Sequence, residues 1–257
     1  MHDLGTPQGP IGAAPAPSPP APPEPRRARL VRWFDSWMRS LGMALVLFLI
    51  VRTFLLEAFQ IPSGSMERTL LAGDFLFVNK AVFGAQIPGT AAHLPAFSAP
   101  RRGDVIVFAY PRDPALNYVK RVIGMPGDTV AMRGGQVWVN GRALNEPYAQ
   151  RTDTAHDIAD AQFAWQREYL ADPSPEARRR YRPMRDSWGP LVVPADRYFV
   201  LGDNRDNSAD SRYWGFVDRA AVKGQPLVVY FSYDRETGEP LPWLTGIRWS
   251  RLGSLIR

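Results

Sequence analysis

The chain has 257 residues, with 31 lysines and arginines against 25 aspartates and glutamates, and no cysteine. This length allows one or two domains and a substantial buried core. The absence of cysteine excludes disulfides, thiol catalysis and cysteine metal sites, but it does not identify the compartment, because exported proteins can also lack cysteine. The net charge of +6 would suit a nucleic acid or an anionic lipid as partner, so its placement matters more than its sum.

The N-terminal residues 1–25 form a proline- and alanine-rich tract with almost no large apolar side chains. Such a composition cannot bury enough surface to offset the entropy lost on ordering. We therefore expect a disordered tail, which we delimit at residues 1–28. A proline-rich ligand for a partner domain is the minority alternative.

An uncharged apolar run follows at residues 40–51. Taken alone it is shorter than a membrane span, and it would also suit a core helix or the apolar part of a signal peptide. From Arg39 to Glu57, however, a helix rising about 1.5 Å per residue is roughly 27 Å long, and Arg39 and Arg52 can extend outward from its two ends. We therefore predict a basic flank and one transmembrane helix over residues 29–58.

The arginines predict the orientation of this span. Those before it are Arg26, Arg27, Arg29, Arg32 and Arg39, and those closely after it are Arg52 and Arg68. The positive-inside rule then places the N-terminus in the cytoplasm and the remaining chain outside. Because no small-x-small cleavage pattern follows the run, an uncleaved anchor is favoured over a removed signal peptide.

Short segments rich in branched and aromatic residues predict strands beyond the span. They are residues 74–79, 104–110, 116–123, 129–133, 136–140, 198–202 and 226–233. The pairs Gly134-Gly135 and Asn140-Gly141 are typical of tight hairpin turns. The pattern indicates a mainly β, antiparallel body.

Residues 150–190 depart from the strand pattern and resemble an insertion. They contain a predicted helical stretch near 159–170 and an arginine run at 178–182. That run could contact lipid headgroups or nucleic acid, but a solvated charged face is the favoured interpretation.

A candidate nucleophile, Ser65, follows the span, and Lys120 is the better candidate for its base because no histidine lies near any motif. A lysine acts as a base only if desolvation or a nearby positive charge lowers its pKa from about 10.4. Strand alternation places Lys120 on one face with the apolar side chains of Tyr118 and Val122. For this residue considered alone, a solvated strand lysine is the alternative.

Residues 202–217 are a dense run of polar, turn-forming side chains. A calcium loop is one interpretation, but the run has no glutamate at its twelfth position and has an arginine among the would-be ligands. A polar network that supports a site is favoured instead.

Four motifs together resemble one family. They are IPSGSM at 61–66, RRGDVIVF at 101–108, YVKRVIGMPGD at 118–128 and GDNRDNSADSRYWGFV at 202–217. In this order they are similar to the bacterial type I signal peptidases, which are membrane-bound serine proteases with a Ser/Lys dyad. With their strands, the motifs cover most of residues 57–233.

The resemblance implies an antiparallel-sheet catalytic domain with an inserted smaller subdomain, anchored by the one N-terminal transmembrane helix. We assign residues 59–133 and 198–257 to the catalytic β domain and residues 134–197 to the inserted subdomain. The implied location is the bacterial inner membrane, with the catalytic domain in the periplasm.

The match also implies residue roles. Ser65 corresponds to the nucleophile and Lys120 to the neutral base that accepts its proton. Ser63 corresponds to the hydroxyl that, with the backbone N–H of Ser65, forms the oxyanion hole.

Ser208 matches the family position whose hydroxyl orients the lysine amine, and Asp210 and Arg212 match a nearby structural pair. We expect no cofactor, no metal ion and no nucleic-acid partner.

The implied substrate is an exported preprotein, still held in the bilayer by its N-terminal signal peptide, with small residues one and three positions before the scissile bond. The residues that the resemblance assigns to the two substrate pockets are Phe59, Ile61, Pro62, Met66, Leu70, Tyr118 and Val119. Each of them would equally suit a plain core position.

Three departures from the family and three alternatives stay open. The anchor is one span where some members have two, and the 150–190 insertion carries no known motif. Arg68 stands where proline is usual after the nucleophile, so the local loop geometry is in question. The alternatives are a specialised relative with few substrates, a soluble self-cleaving repressor, and a non-catalytic membrane-anchored binding domain. The apolar span argues against the second, and the intact Ser65, Lys120 and Ser208 argue against the third.

Overall fold

The computed structural model describes residues 26–84, 87, 90, 92, 94–153, 157–235, 238 and 240–256. The predicted disordered tail lies outside these residues apart from its last positions. By its contacts the chain divides into two units, Met1–Leu47 and Phe48–Arg257, which are described separately here.

The first long element is helix α1 (Arg26–Ile50), which continues as a π-helical turn over Val51–Leu55. Leucine, methionine and alanine are good helix formers, and the run contains no proline to interrupt them. The stretch Arg32–Leu55 is long and apolar enough to cross a membrane, by length and composition. Its apolar side chains are exposed, which suits an N-terminal membrane anchor.

The remaining chain is mainly β. Its strands are β1 (Leu56–Gln60), β2 (Asp74–Asn79), β3 (Val105–Tyr110), β4 (Asp113–Gly124), β5 (Thr129–Arg133), β6 (Gln136–Val139), β7 (Arg142–Ala143), β8 (Trp188–Val192), β9 (Arg197–Leu201), β10 (Val217–Asp218) and β11 (Val222–Ser232). Three short α-helices are α2 (Pro175–Arg180), α3 (Ser211–Trp214) and α4 (Pro242–Thr245). Short 3-10 turns are Gly64–Met66, Ala81–Phe83, Ala161–Tyr169, Arg205–Asn207, Arg219–Ala221 and Trp249–Arg251.

These strands form two antiparallel sheets. The larger has the order β1-β2-β11-β3-β4-β9-β10, and the smaller has the order β7-β6-β5-β8. The smaller sheet begins at Thr129, inside the range 59–133 that the sequence assigned to the catalytic domain. The mainly antiparallel fold is confirmed. The predicted domain boundaries stay a prediction.

Each strand predicted from the sequence is present, with bounds that differ by a few residues. The prediction missed β1, because LEAFQ follows the apolar span without a break. It missed β8 because Gly189 and Pro190 are typical of a turn rather than of a strand interior. The stretch predicted as helical near 159–170 is a 3-10 helix, Ala161–Tyr169.

Strand β4 supplies side chains to separate hydrophobic clusters. Val122 and Tyr118 pack in a cluster with Phe108 and Val200, whereas Ile123 belongs to a cluster around the smaller sheet. The alternation predicted for this strand is therefore present, and both of its faces are covered. This burial places the side chain at position 120 away from water.

We predict that Leu76→Ala lowers the free energy of unfolding by about 2–5 kcal/mol, because it removes buried methyl groups and leaves a cavity. Leu76 is 0% exposed in β2. Urea unfolding of the full chain in detergent would measure this. The control is Leu116→Ala, at a leucine that is 48% exposed. Equal losses in the two variants would contradict the assignment of Leu76 to the core.

Candidate active site

Ser65 lies in the 3-10 turn Gly64–Met66 that follows β1. Met66 is buried beneath this turn, and the backbone N–H of Leu70 donates to the carbonyl of Met66 at 2.7 Å. Upstream, the backbone N–H of Ile61 donates to the carbonyl of Asp74 at 2.8 Å, and the carbonyl of Ile61 accepts from the N–H of Gly73 at 2.9 Å. The chain that enters the turn is therefore held against the start of β2, and the chain that leaves it is hydrogen-bonded back to the turn.

Lys120 reaches the same place from β4. It is 4% exposed, and its Nζ donates to Ser65 Oγ at 2.7 Å and to the carbonyl of Val119 at 3.1 Å. The two residues are 55 positions apart in the chain. The fold thus brings together the hydroxyl and the amine that the sequence proposed as partners.

Burial is the main influence on this amine. It lowers the pKa of Lys120 from 10.5 to about 8, because the charged form loses its hydration. Asp210 and Asp203 act in the opposite direction, and Arg212 assists the lowering. The ring of Tyr118, whose centroid is 5.5 Å from Nζ, also favours the charged form.

A cavity of about 400 Å³ opens beside this pair. It is lined by Phe59, Gln60, Ile61, Pro62, Ser63, Ser65, Met66, Asn117, Tyr118, Val119, Lys120, Asn207 and Ala209. All of the predicted pocket residues except Leu70 line it. Sequence reasoning missed Asn207 and Ala209, although both lie in the 202–217 motif on either side of Ser208, and it missed Gln60 and Asn117, which flank predicted pocket residues.

Four predicted site residues lie outside this lining: Leu70, Ser208, Asp210 and Arg212. Leu70 is fully buried in a hydrophobic cluster with Met66 and Leu76, so it forms core beneath the turn. The hydroxyl of Ser208 is buried and has no hydrogen-bond partner of good geometry. It lies near Asp210 rather than bonded to the lysine amine, so its orienting role stays a prediction.

Asp210 and Arg212 form a fully buried ion pair, in keeping with the predicted structural pair. Arg212 Nε and Nη2 donate to the two carboxylate oxygens at 2.8 and 2.9 Å. Burial alone would raise the pKa of Asp210, but the charge of Arg212, its hydrogen bonds to this carboxylate and the backbone N–H of Gly202 outweigh it and lower that pKa. The pair therefore places a charged group near the site without leaving it unpaired.

A second buried network links residues 64–70, here called the nucleophile turn, to strand β4, here called the base strand. Arg121 Nε and Nη2 donate to the two carboxylate oxygens of Asp203 at 2.8 and 2.7 Å. Thr69 Oγ1 donates to the same carboxylate at 2.6 Å and accepts from Arg121 at 3.1 Å. Three segments that are distant in sequence meet in these contacts.

The carboxylates of the 202–217 motif are occupied by arginines. Asp203 pairs with Arg121 and Asp210 with Arg212, and Asp206 lies near Arg185. Within the part of the chain that the structure describes, no group of three histidine, aspartate or glutamate side chains could hold a metal ion. These contacts favour the supporting polar network over the calcium loop.

The chain is similar to known proteins over most of its length. Residues 34–231 match the family described as signal peptidase, peptidase S26. Signal peptidase I of Pseudomonas fluorescens is 38% identical over 229 residues, covering 84% of this chain and 77% of that protein. Signal peptidase I of Aquifex aeolicus is 33% identical over 225 residues, covering 75% of this chain and 82% of that protein. A crystal structure of a signal peptidase I from Enterococcus faecalis is 32% identical, covering 49% of this chain and 95% of that chain, with a TM-score of 0.32.

The family match and the relatives named signal peptidase I define a serine endopeptidase, which is a hydrolase. The extent of the match is decisive, because it covers most of the chain and includes every motif quoted above. The chain belongs to the signal peptidase family, peptidase S26.

We predict that Gly202→Ala lowers turnover at least about tenfold, because a methyl group there would displace the nucleophile turn. A Cβ on Gly202 would lie 2.5 Å from the carbonyl oxygen of Ser65 and would overlap the hydroxyl of Ser208. Peptidase assays on folded protein would measure the loss. The control is Gly42→Ala, where a Cβ would meet nothing within 4 Å. A Gly202→Ala enzyme with full turnover would contradict this packing.

Proposed function

We propose that this chain is a membrane-anchored signal peptidase that removes N-terminal signal peptides from exported preproteins, with Ser65 as nucleophile and Lys120 as general base. The 2.7 Å hydrogen bond between Ser65 Oγ and the buried Lys120 Nζ carries the proposal. Membership of the signal peptidase family supports the reaction class.

The proposed proton transfers need a neutral amine. Uncharged Lys120 accepts the hydroxyl proton as Ser65 Oγ attacks the scissile carbonyl carbon. The resulting ammonium returns this proton to the leaving amine of the mature chain, and an acyl-enzyme remains. Lys120 then takes a proton from the water that attacks the ester carbonyl carbon. As the acyl C–O bond breaks, Lys120 passes this proton to Ser65 Oγ, and the signal peptide leaves with a new carboxyl group.

Ser63 and the backbone N–H of Ser65 are the proposed donors to the oxyanion. Ser63 is exposed, has an extended backbone and lines the cavity beside the nucleophile. Such donors stabilise charge that develops only in the transition state, and losing one typically costs roughly 10²- to 10³-fold in rate.

The substrate is proposed to bind as an extended strand along the cavity. Strand β1 ends the order of the larger sheet, so its outer edge can pair with an added strand. Ile61, Met66 and Val119 make the cavity wall apolar. Shallow apolar pockets admit small side chains only, which supports cleavage after a small-x-small sequence.

The helix Arg32–Leu55 supports anchorage in the bilayer. We place its N-terminus in the cytoplasm and the catalytic body outside the bacterial inner membrane, because arginines are concentrated before the span. An anchored enzyme and a membrane-held preprotein meet in two dimensions, which raises their effective concentration without any additional contact.

We expect the wild-type chain in detergent to cleave a preprotein directly after its Ala-X-Ala sequence, and Ser65→Ala and Lys120→Ala each to abolish cleavage. The two groups act as one unit, so the double variant should be no worse than either single variant. N-terminal sequencing of the product identifies the bond. Lys223→Ala, at a lysine that does not line the cavity, is the control. Near-full activity of Lys120→Ala would refute the dyad.

The pH dependence should follow the lysine. Because the neutral amine is the active form and the pKa of Lys120 lies at about 8, kcat/KM should rise about tenfold per pH unit below that value and level off above it. Initial rates measured from pH 5 to 10 would test this. A profile that is flat from pH 5 to 9 is incompatible with a lysine base.

A further inference from the structure

The segment 146–150, which lies before the Ala161–Tyr169 turn, contacts neighbours of both Ser65 and Lys120. None of its residues lines the cavity beside the pair. Its sequence is Glu-Pro-Tyr-Ala-Gln. Three sets of contacts join it to the nucleophile turn, to the base strand and to the loop at 203–205.

The first set holds the segment against the loop. The backbone N–H of Gln150 donates to the carbonyl of Asp203 at 2.7 Å, and the N–H of Arg205 donates to the carbonyl of Gln150 at 2.9 Å. Arg205, which is 2% exposed, also donates two side-chain hydrogen bonds to the carboxylate of Glu146 at 3.0 and 2.7 Å. A buried bidentate pair of this kind has a narrow geometry.

The second set joins the loop and the segment to the nucleophile turn. The backbone N–H of Asn204 donates to the carbonyl of Ser65 at 3.1 Å, and its side-chain amide donates to Glu67 at 2.6 Å. Arg68 Nη1 donates to the carbonyl of Ala149 at 3.0 Å. The turn is thereby connected to the segment both directly and through the loop.

Arg68 also adopts a backbone conformation that the usual proline could not. Its φ is 76°, in the left-handed region, whereas proline is restricted to about −65°. A non-glycine residue is held there only where the surrounding contacts compensate for the strain. The hydrogen bond to Ala149 is such a contact.

The third set reaches the base strand. The guanidinium carbon of Arg121 lies 3.9 Å from the ring centroid of Tyr148, and the Tyr148 hydroxyl donates to Glu146 at 3.1 Å. Arg121 directly follows Lys120 and carries the paired hydrogen bonds to Asp203. A planar guanidinium stacked on a ring and bound to a carboxylate has little freedom to move.

We propose that the 146–150 segment is a brace that sets the separation of Ser65 and Lys120, and that Tyr148 and Arg68 are positioning residues for the proposed peptidase reaction. Tyr148 acts through Arg121 on the base strand, and Arg68 acts on the nucleophile turn. A hydrogen bond of 2.7 Å tolerates little displacement, and a misplacement of about 1 Å can cost roughly 10²-fold in rate. This inference rests on the proposed function.

The test compares Tyr148→Leu with Tyr148→Phe in the full chain, using the same preprotein as the cleavage assay. Leucine removes the ring face, whereas phenylalanine keeps it and loses only the hydroxyl. We expect Tyr148→Leu to lower kcat about tenfold and to change KM by less than about twofold, since the ring does not line the cavity in which the substrate is proposed to bind. Tyr148→Phe should retain most of the wild-type kcat.

A pH profile separates positioning from a loss of folded protein. The groups that act on the Lys120 amine are Asp203, Asp210, Arg212 and Tyr118. If the base strand loosens, water reaches the amine and its pKa rises, so the acid limb of Tyr148→Leu should move to higher pH. A smaller folded fraction would lower the amplitude and leave the midpoint in place.

Substitutions at Arg68 provide an independent test, because its side chain is exposed and its replacement leaves the hydrophobic core unchanged. Arg68→Gln should lower kcat with KM unchanged, and Arg68→Lys, which can still donate to Ala149, should recover part of the loss. If Tyr148→Leu does not fold, the Arg68 variants alone test whether the 146–150 segment is a brace.

The brace is refuted if folded Tyr148→Leu and Arg68→Gln both keep wild-type kcat and the wild-type pH midpoint. It is also refuted if their losses appear in KM alone, because that result would make them binding residues. Failure of the wild-type chain itself to cleave would overturn the proposed function first, and the two failures are therefore distinguishable.

Discussion

The structure of this site depends on one interaction, the hydrogen bond between a buried lysine amine and the serine hydroxyl beside it. Desolvation makes the neutral form of Lys120 accessible near neutral pH, and the hydrogen bond to Ser65 places that amine beside the hydroxyl whose proton it accepts in the proposed mechanism. Burial removes the hydration of the amine, so the surrounding side chains must pack closely enough to keep the amine in place and water out. Strand β4 supplies this packing, since its two faces are covered by hydrophobic clusters.

Charged side chains nevertheless surround this apolar setting, and they are tolerated because each has a partner. Three buried arginines pair with carboxylates: Arg121 with Asp203, Arg205 with Glu146, and Arg212 with Asp210. Removing one partner from such a pair typically costs about 3–5 kcal/mol, because it leaves an unpaired buried charge. The 202–217 motif contributes a member to every pair, which explains why so polar a sequence lies in the interior.

The smaller sheet is connected to the same network through the chain that follows it. Its β6–β7 hairpin leads into the 146–150 segment, which pairs with the 203–205 loop and stacks Tyr148 on Arg121. The nucleophile turn, the base strand and this loop are therefore held from one side by a part of the chain that touches no cavity wall. Arg68 belongs to this arrangement as well, in a backbone conformation that proline could not adopt.

The sequence by itself determined the mainly β architecture and the membrane-compatible helix, because period-two alternation and apolar length are local properties of the chain. It also indicated Ser65 and Lys120 as partners, through short motifs that match a family, and the structure places their side chains 2.7 Å apart. It did not predict strand β8, in which Gly189 and Pro190 resemble a turn. Only the tertiary structure decided that Leu70 is core and that the 146–150 segment contacts Arg68, Arg121 and the 203–205 loop. These outcomes depend on contacts between residues that are far apart in sequence, which no local pattern encodes, since they arise only when separate strands and loops pack together.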